Sequence, residues 1–373
     1  MVEWKKLGEI AKLVRGKVIS KDYIRDNEGD FPVYSSQTAN NGILGSINSY
    51  MFDGNFLTWT TDGAYAGTIF RRKGKFNITN VCGLIDIKER EIKQDFLYYW
   101  LSITAKSYVS EGMGNPKLMS NVASTIKIPI PSLSEQQRIV ETLDKFTASI
   151  DNLKEQIAQR RKQYEHYREQ LFLFEGRKDV EWKKCGEVFD VTDYVANGSF
   201  ASLRENVIYK QEPDFAILVR TIDLSNNFEG DKIYIDEKAY NFLSKSALNG
   251  GELIINNIGA GVGQTFKCPI LKERMSLGPN SILVKTPNND FYYYWFNSIY
   301  GQNTIMKVVT PGAMPKFNKT GFKSIEIPLP SISEQSRIVS ILDSFEASIA
   351  NLEEQLALRQ KQYEYYREKL LTF

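Results

Sequence analysis

The most enzyme-like string in the chain is Gly259-Ala260-Gly261-Val262-Gly263, placed directly after the apolar run Leu253–Ile258. A strand feeding a glycine-rich turn is how S-adenosylmethionine-dependent methyltransferases begin their cofactor loop, because glycine lets backbone come close to a ligand. A related string, Gly63-Ala64-Tyr65-Ala66-Gly67, keeps only the outer glycines. Glycines that hold a turn in both places are better explained by backbone geometry than by cofactor contact. No Asn/Asp-Pro-Pro-aromatic tetrapeptide for gripping a target base is present. Pro213-Asp214 with Asp236-Glu237-Lys238 imitates the acid–lysine spacing of metal-dependent nucleases, but the first half of the chain has no counterpart. There is no GxxxxGK[S/T] phosphate loop, and His166 is the single histidine. Cys82, Cys185 and Cys268 are scattered and odd in number, which suits a reducing compartment and no metal site. The expectation is a non-catalytic chain with no cofactor and no metal.

Side chains that recognise rather than react are more plentiful. The first half offers Ser35, Ser36, Gln37, Asn40 and Asn41, then Thr58 to Thr61 with Thr60 and Thr61 beside Tyr65, and the basic run Arg71, Arg72, Lys73, Lys75. The second half offers Arg220, Asn256, Asn257, Gln264, Lys267, Lys272, Arg274 and Lys319. Asn and Gln can read adenine edges, and Arg can read guanine or phosphate. Taken singly, each of these residues is also ordinary solvated loop surface. Lys117 and Lys316 follow a proline in both halves, upstream of equivalent helices, and are candidates for positioning a phosphate.

The elements that would hold these residues are written twice. IPIPSLSEQQRIVETLDKFTASIDNLKEQIAQRRKQYEHYREQLFLF returns as IPLPSISEQSRIVSILDSFEASIANLEEQLALRQKQYEYYREKLLTF, and VEWKK at Val2–Lys6 returns at Val180–Lys184. DFLYYW (Asp95–Trp100) returns as DFYYYW (Asp290–Trp295), a length and mix that suit a short buried helix or a strand. The chain is therefore an internal duplication with variable interiors. Each long repeat starts after prolines, at 129 and 131 and again at 328 and 330, which forbid helix before them. Ser134 and Ser333 are the expected capping hydroxyls, with Glu135 and Glu334 at the positive end of the dipole.

Large residues then alternate at intervals of four and three: Ile139, Leu143, Phe146, Ile150, Leu153, Ile157, Arg160, Tyr164, Tyr167, Leu171, Phe174, and their equivalents from Ile338 to Phe373. That rhythm predicts a coiled coil. The short joint Glu175–Asp179 requires the second helix to return antiparallel to the first. Arg160 and Arg359 interrupt the stripe at matching positions, where a polar core residue fixes register. The expected fold class is α+β, with two similar mixed α/β units separated by a long intramolecular antiparallel two-helix coiled coil with a pseudo-twofold axis. The expected boundaries are 1–130, 131–178, 179–329 and 330–373.

Hydrophobic content of 42% and charged content of 25% describe an ordinary soluble protein. No apolar run reaches the ~18 residues needed to cross a bilayer, and Met1 leads directly into charged VEWKK. A cytoplasmic, membrane-free location is expected. The net charge of +2 gives no bulk field for a polyanion, so any nucleic-acid contact must rest on local patches.

The doubled IPIPSLSEQQRIV…LD…I pattern (Ile128–Ile150 and Ile327–Ile349) resembles the conserved regions of type I restriction–modification specificity subunits. The interior from Phe31 to Gly83, containing FPVYSSQTANNGILG and DGNFLTWTTDGAYAGTIF, resembles one of that family's target-recognition domains. The resemblance implies that each unit is a target-recognition domain reading one half of an asymmetric bipartite site on double-stranded DNA. It implies that the coiled coil sets the gap. It also implies partners: two modification (methyltransferase) subunits that methylate adenine N6, and restriction subunits that translocate and cut with ATP. The chain itself would be non-catalytic. Two other readings are a scaffold or oligomerisation rod with two binding heads, and a degenerate methyltransferase.

Overall fold

The computed structural model describes residues 2–110 and 114–373. The chain divides into two compact units. The first is Met1–Lys154 together with Gln355–Phe373, and the second is the contiguous stretch Glu155–Glu354. The cuts fall near the middle of two 39-residue helices, Leu133–Leu171 and Ile332–Leu370. Each compact unit thus holds one mixed α/β head, the start of one long helix and the end of the other.

Ser134 and Ser333, three residues after Pro131 and Pro330, are not the caps of the long helices. The hydroxyl that accepts the first free amide belongs to Ser132, from Glu135 N–H at 3.2 Å, and to Ser331, from Glu334 N–H at 3.3 Å. Ser134 and Ser333 lie inside the first turn and hydrogen-bond those capping hydroxyls. This corrects the expected cap by two residues. The Ser-x-x-Glu spacing of a helix start counts from Ser132 and Ser331, and proline just before the cap is compatible with the extended backbone there.

In the first unit, strand β1 (Glu3–Lys6) pairs antiparallel with β8 (Lys127–Ile130), opposing Trp4 to Pro129. The main sheet uses β2 (Ala11–Arg15), β3 (Glu28–Tyr34), β4 (Ile43–Ile47), β5 (Phe52–Thr60), β6 (Ile69–Ile78) and β7 (Cys82–Ile87), in the order β2-β7-β5-β6-β3-β4. Alternation along the strands sorts the side chains by face. Leu57, Trp59, Ile69 and Ile85 join the core formed with the buried helix Gln94–Thr104. Phe76, Ile78, Cys82 and Leu84 form a separate cluster with Tyr34. The DFLYYW segment is thus helical. The chain's last residues complete this core: Leu371 is buried in it, and Phe373 stacks edge-on against Phe96 and Trp100, at 6.0 and 5.8 Å.

The second unit repeats the plan. β9 (Glu181–Lys184) pairs with β18 (Glu326–Leu329). β10 (Asp190–Asp193), β14 (Leu253–Asn256), β15 (Thr265–Lys267) and β17 (Ser281–Lys285) form a sheet in the order β10-β17-β14-β15. That order is the counterpart of β2-β7-β5-β6. Leu253, Ile255, Ile282 and Val284 face the helix Asn289–Phe296, with Phe172 and Phe174 in the same core. Ile254 and Leu283 face the other way. There a second sheet covers them, made of β11 (Ala216–Val219), β12 (Tyr234–Ile235), β13 (Ala247–Leu248) and β16 (Arg274–Leu277), in the order β12-β11-β16-β13. The first unit has no such second sheet among its described residues.

Inside each unit the two long helices run antiparallel. In the second unit, Arg161 pairs with Glu353, Tyr164 donates to Glu346 at 3.1 Å, and Tyr167 lies 5.5 Å from Phe345, so one register rises as the other falls. In the first unit Tyr366 stacks on Phe146 at 5.3 Å. Arg160 lies over Phe345 and Arg359 over Phe146, both at 5.7 Å. The stripe is not uniformly buried. Tyr167 and Tyr366, expected as core positions, are 49% and 41% exposed, because two helices alone cannot enclose so wide a ring.

Candidate functional site

Each head gathers its polar loops at one edge of the shared four-stranded sheet. In the first head the turn after β5 closes through Gly67 N–H to Thr60 O and Gly63 N–H to Pro116 O. In the second, Gly263 N–H reaches Asn256 O and Gly259 N–H reaches Pro315 O. Gly63, Gly67, Gly259 and Gly263 all have φ between 82° and 97°, a region that disfavours a side chain. The GxGxG string is therefore a turn that both copies need, bonded to the Pro-Lys segment. The same segment carries matching bridges: Lys117 to Asp62 and Ser110, Lys316 to Ile258 and Thr310.

In the first head a third segment, Thr79–Val81, lies between two loops. Val81 O accepts from Thr61 N–H at 3.2 Å, and Thr79 Oγ1 donates to Ser35 Oγ at 3.1 Å. The Ser35–Gly42 loop and the Thr61–Thr68 turn therefore share one edge. Arg15, which sequence reading passed over, joins them by donating to Asn80 O at 3.0 Å and approaching Asp62 at 3.9 Å. Its only signal was a basic residue at a strand end. The second head has the matching bond from Asn257 N–H to Asn280 O at 3.2 Å. There a cleft of about 510 Å³ opens among Tyr194, Phe200, Asn257, Lys316 and Lys319.

The sequence candidates fall into distinct environments. Asn40, Asn41, Tyr65, Lys73 and Lys75 are exposed, as are Gln264, Lys272, Arg274 and Lys316. Lys75 lies 4.6 Å from the Tyr50 ring and Arg274 4.3 Å from the Phe215 ring. Lys117 is half-exposed and 3.7 Å from Asp62, while Lys319 pairs with Asp193 at 3.1 Å. Ser36 and Gln37 are half-buried, and Gln37 Nε2 donates to Ile43 O. Thr58, Thr60 and Thr61 are fully buried, and the Thr60 hydroxyl donates to Tyr65 O, fixing the turn. Asn256 is buried with its Oδ1 accepting from Ile258 N–H, and Asn257 Nδ2 donates to Phe317 O.

Four of the basic candidates are already engaged within the chain. Arg71 Nε lies 2.8 Å from Asp95 and its Nη2 3.2 Å from Asp144 on the long helix, with the guanidinium over Tyr98 and Tyr99. Lys267, at the matching strand position, pairs with Asp290, the counterpart of Asp95. Arg220 is bound to Asp223 at 2.6 Å and to Asp231 O at 2.8 Å. Arg72 is 2% exposed and lies beneath the Ser35–Gly42 loop. Burial draws its pKa below the usual arginine value. In a strand, neighbours point to opposite faces, so RRK is not one basic patch.

The enzyme-like acids also have structural duties. Asp236 Oδ1 caps a helix by accepting from Ala239 N–H, and Asp214 pairs with Lys210 at 2.6 Å. Among the described residues, no group of three or more His, Cys, Asp or Glu side chains gathers as a metal-binding cluster. Burial pushes the Cys82 and Cys268 thiols up to about 12, away from a reactive thiolate. No helix among the described residues is long and apolar enough to cross a membrane.

Residues 1–160 and 177–359 each match the model of the type I restriction modification DNA specificity domain. Over 373 residues the chain is 29% identical to a candidate type I specificity subunit of Mycoplasma pneumoniae, covering 99% of this chain and 97% of that one. The N-terminal part of another candidate subunit from the same organism is 45% identical over 141 residues, covering 38% of this chain and 75% of that one. Among solved structures, the S subunit of a type I restriction–modification system from M. genitalium shares the fold. It has a TM-score of 0.62 at 16% identity, covering 100% of this chain and 97% of that one.

Proposed function

The chain belongs to the type I restriction–modification DNA specificity family, and from that premise we propose that each head reads one half of an asymmetric, bipartite site on double-stranded DNA. The observation that carries this reading is the shared frame with unlike edges. The four strands, the glycine turn and the Pro-Lys bridge occur twice, whereas the residues at the tips differ. A frame that positions and an edge that varies is the arrangement needed to read two different sequences.

The side chains proposed to meet DNA in the first head are Gln37, Asn40, Tyr65, Lys73, Lys75 and Lys117. In the second they are Asn257, Gln264, Arg274, Lys316 and Lys319. Lys117 and Lys316 suit phosphate, while the amides suit base edges. Arg71, Arg72, Arg220 and Lys267 are left out of this set because their charged groups already have partners within the chain. Arg160 and Arg359 hold coiled-coil register, and the length of the paired helices sets the gap between half-sites. The functional segments follow the boundaries 1–130, 131–178, 179–329 and 330–373.

Two modification subunits would dock on the duplicated surface. Trp4 and Trp182 are 45% and 41% exposed on matching strands, and Leu133 and Ile332, 47% and 79% exposed, open the matching helices. An exposed aromatic–aliphatic pair kept in both copies, while the reading edges diverge, suits two copies of one protein partner. This chain supplies recognition. Adenine methylation at N6 and ATP-dependent cleavage would belong to the modification and restriction subunits of a cytoplasmic complex.

The test is selection of bound duplexes from a random library by the chain co-expressed with its modification subunit. Two short, unlike motifs at one fixed gap are expected, and seven residues inserted near Gln156 and Gln355 should change the gap alone. A single contiguous motif, or none, would favour a scaffold with two non-DNA heads.

A further inference from the structure

The least economical charge in the molecule is Arg72. Its guanidinium is buried, and among the described residues no carboxylate forms an ion pair with it. Nε donates to Thr58 Oγ1 at 3.0 Å and Nη1 to Asn41 O at 2.8 Å. The plane lies 3.6 Å from the Tyr34 ring centre and 4.3 Å from that of Phe70. Among the described residues Nη2 has no hydrogen-bond partner. Burying a cation with the two N–H groups of Nη2 unpaired is a poor way to stabilise a fold, because an apolar side chain of similar volume would avoid the desolvation cost.

What Arg72 grips is unusual backbone. Asn40, Asn41 and Gly42 have φ of 48°, 51° and 80°, three left-handed residues in succession, of which two carry side chains. Such conformations persist only where surroundings impose them. Gly42 sits so close above the guanidinium that a Cβ there would be 2.9 Å from Nη2. The loop's exposed tip is Asn40 and Asn41, and its other end is tied to Thr79 through Ser35.

The second head provides the contrast. The strand register that sets Phe56 opposite Arg72 and Leu57 opposite Arg71 sets Leu253 opposite Lys267, so Cys268 follows where Arg72 stands. Cys268 is a buried neutral thiol that reaches Pro269 O and places no cation beneath a loop. The cation therefore belongs to what the first head alone does, and not to the shared frame.

We infer that Arg72 is a specificity-determining positioning residue: from beneath, it shapes the Ser35–Gly42 loop so that the first head discriminates among bases, without touching DNA. This rests on the reading of the heads as DNA-recognition domains. A lysine would not replace it, since one ammonium cannot present separate donors in the directions of Thr58 Oγ1 and Asn41 O across two aromatic rings.

The experiment compares wild type, Arg72→Met, Arg72→Lys and Gly42→Ala, each as the full chain with its modification subunit, by duplex selection and thermal unfolding. In both Arg72 variants, base discrimination in the first half-site should fall at least tenfold while the second half-site is unchanged. Gly42→Ala keeps the cation but displaces the loop, so it should reproduce the loss even if Arg72→Met does not fold. Unaltered first-half discrimination in Gly42→Ala, or in a folded Arg72→Met, overturns the inference. So does a uniform loss of affinity across all first-half sequences. Failure of the wild type to enrich any first half-site would instead overturn the underlying DNA reading.

Discussion

In the first head Trp59 lies over Gly83 across the β5–β7 ladder, while at the matching pair of the second head Ile255 stands opposite Ile282. Both pairs face the core shared with the long helices. A large residue against none, or two middle-sized ones, fills the same layer, so volume rather than identity is held constant. The outer faces of the same sheets diverge further. The first head extends its sheet through β3 and β4, with β3 parallel to β6, whereas the second lays a separate four-stranded sheet over Ile254 and Leu283. Two heads on one frame can thus keep their inner face nearly fixed and rebuild the outer one. The inner face must fit a helix whose sequence is repeated; the outer face has no such obligation.

The largest effect should come from replacing the whole divergent block. Exchanging residues 7–127 for the equivalent segment of another family member should change the first half-site completely and leave the second as it was, read by duplex selection. Alteration of both halves would end the modular comparison. A smaller effect tests the volume argument. At Gly83 a Cβ would fall 2.2 Å from the Trp59 ring, so Gly83→Ala should destabilise the first unit by about 3 kcal/mol. The pair Trp59→Ile with Gly83→Ile, copying the second head, should recover part of that loss in urea unfolding, although Trp59 also gives up its bond to Leu118 O. No recovery would mean the two layers are not equivalent.

The smallest effect concerns the joint between head and helix. Tyr99 donates to Asp144 and Tyr294 to Asp343, each at 2.6 Å, so this contact is common to both units. Only Arg71 also bridges to the helix aspartate, whereas Lys267 pairs with Asp290. These ions are a third to a half exposed, which limits their worth. Arg71→Ala should cost about 1 kcal/mol, and Lys267→Ala less than about 0.5 kcal/mol. Equal costs would show that the bridge to Asp144 adds nothing.

Much of this frame was legible because duplication exposes what geometry requires. The outer glycines of the two turns, the proline-bounded strands and the heptads announced their roles by recurring in place. The capping residue was misread although Ser-x-x-Glu marked it, because Ser134 adjoins the glutamate and Ser132 was masked by the proline before it. Arg71 and Arg72 were legible only as charge. Their inward direction depends on which strand face meets the helix, and that is fixed by partners distant in sequence. The second head's outer sheet left almost no trace, since its β12 and β13 are two residues long and offer no periodicity.

The division of the chain carries a consequence for synthesis on the ribosome. The second unit is one uninterrupted stretch, so its core can close as soon as Glu354 has emerged. The first unit is made earlier but must wait, because Leu371 is buried in its core and Phe373 packs against Phe96 and Trp100. Until then Phe96 and Trp100 lack their last neighbours, and the earlier-made head is the later to finish. Removal of residues 371–373 would therefore injure the head built from residues 1–130.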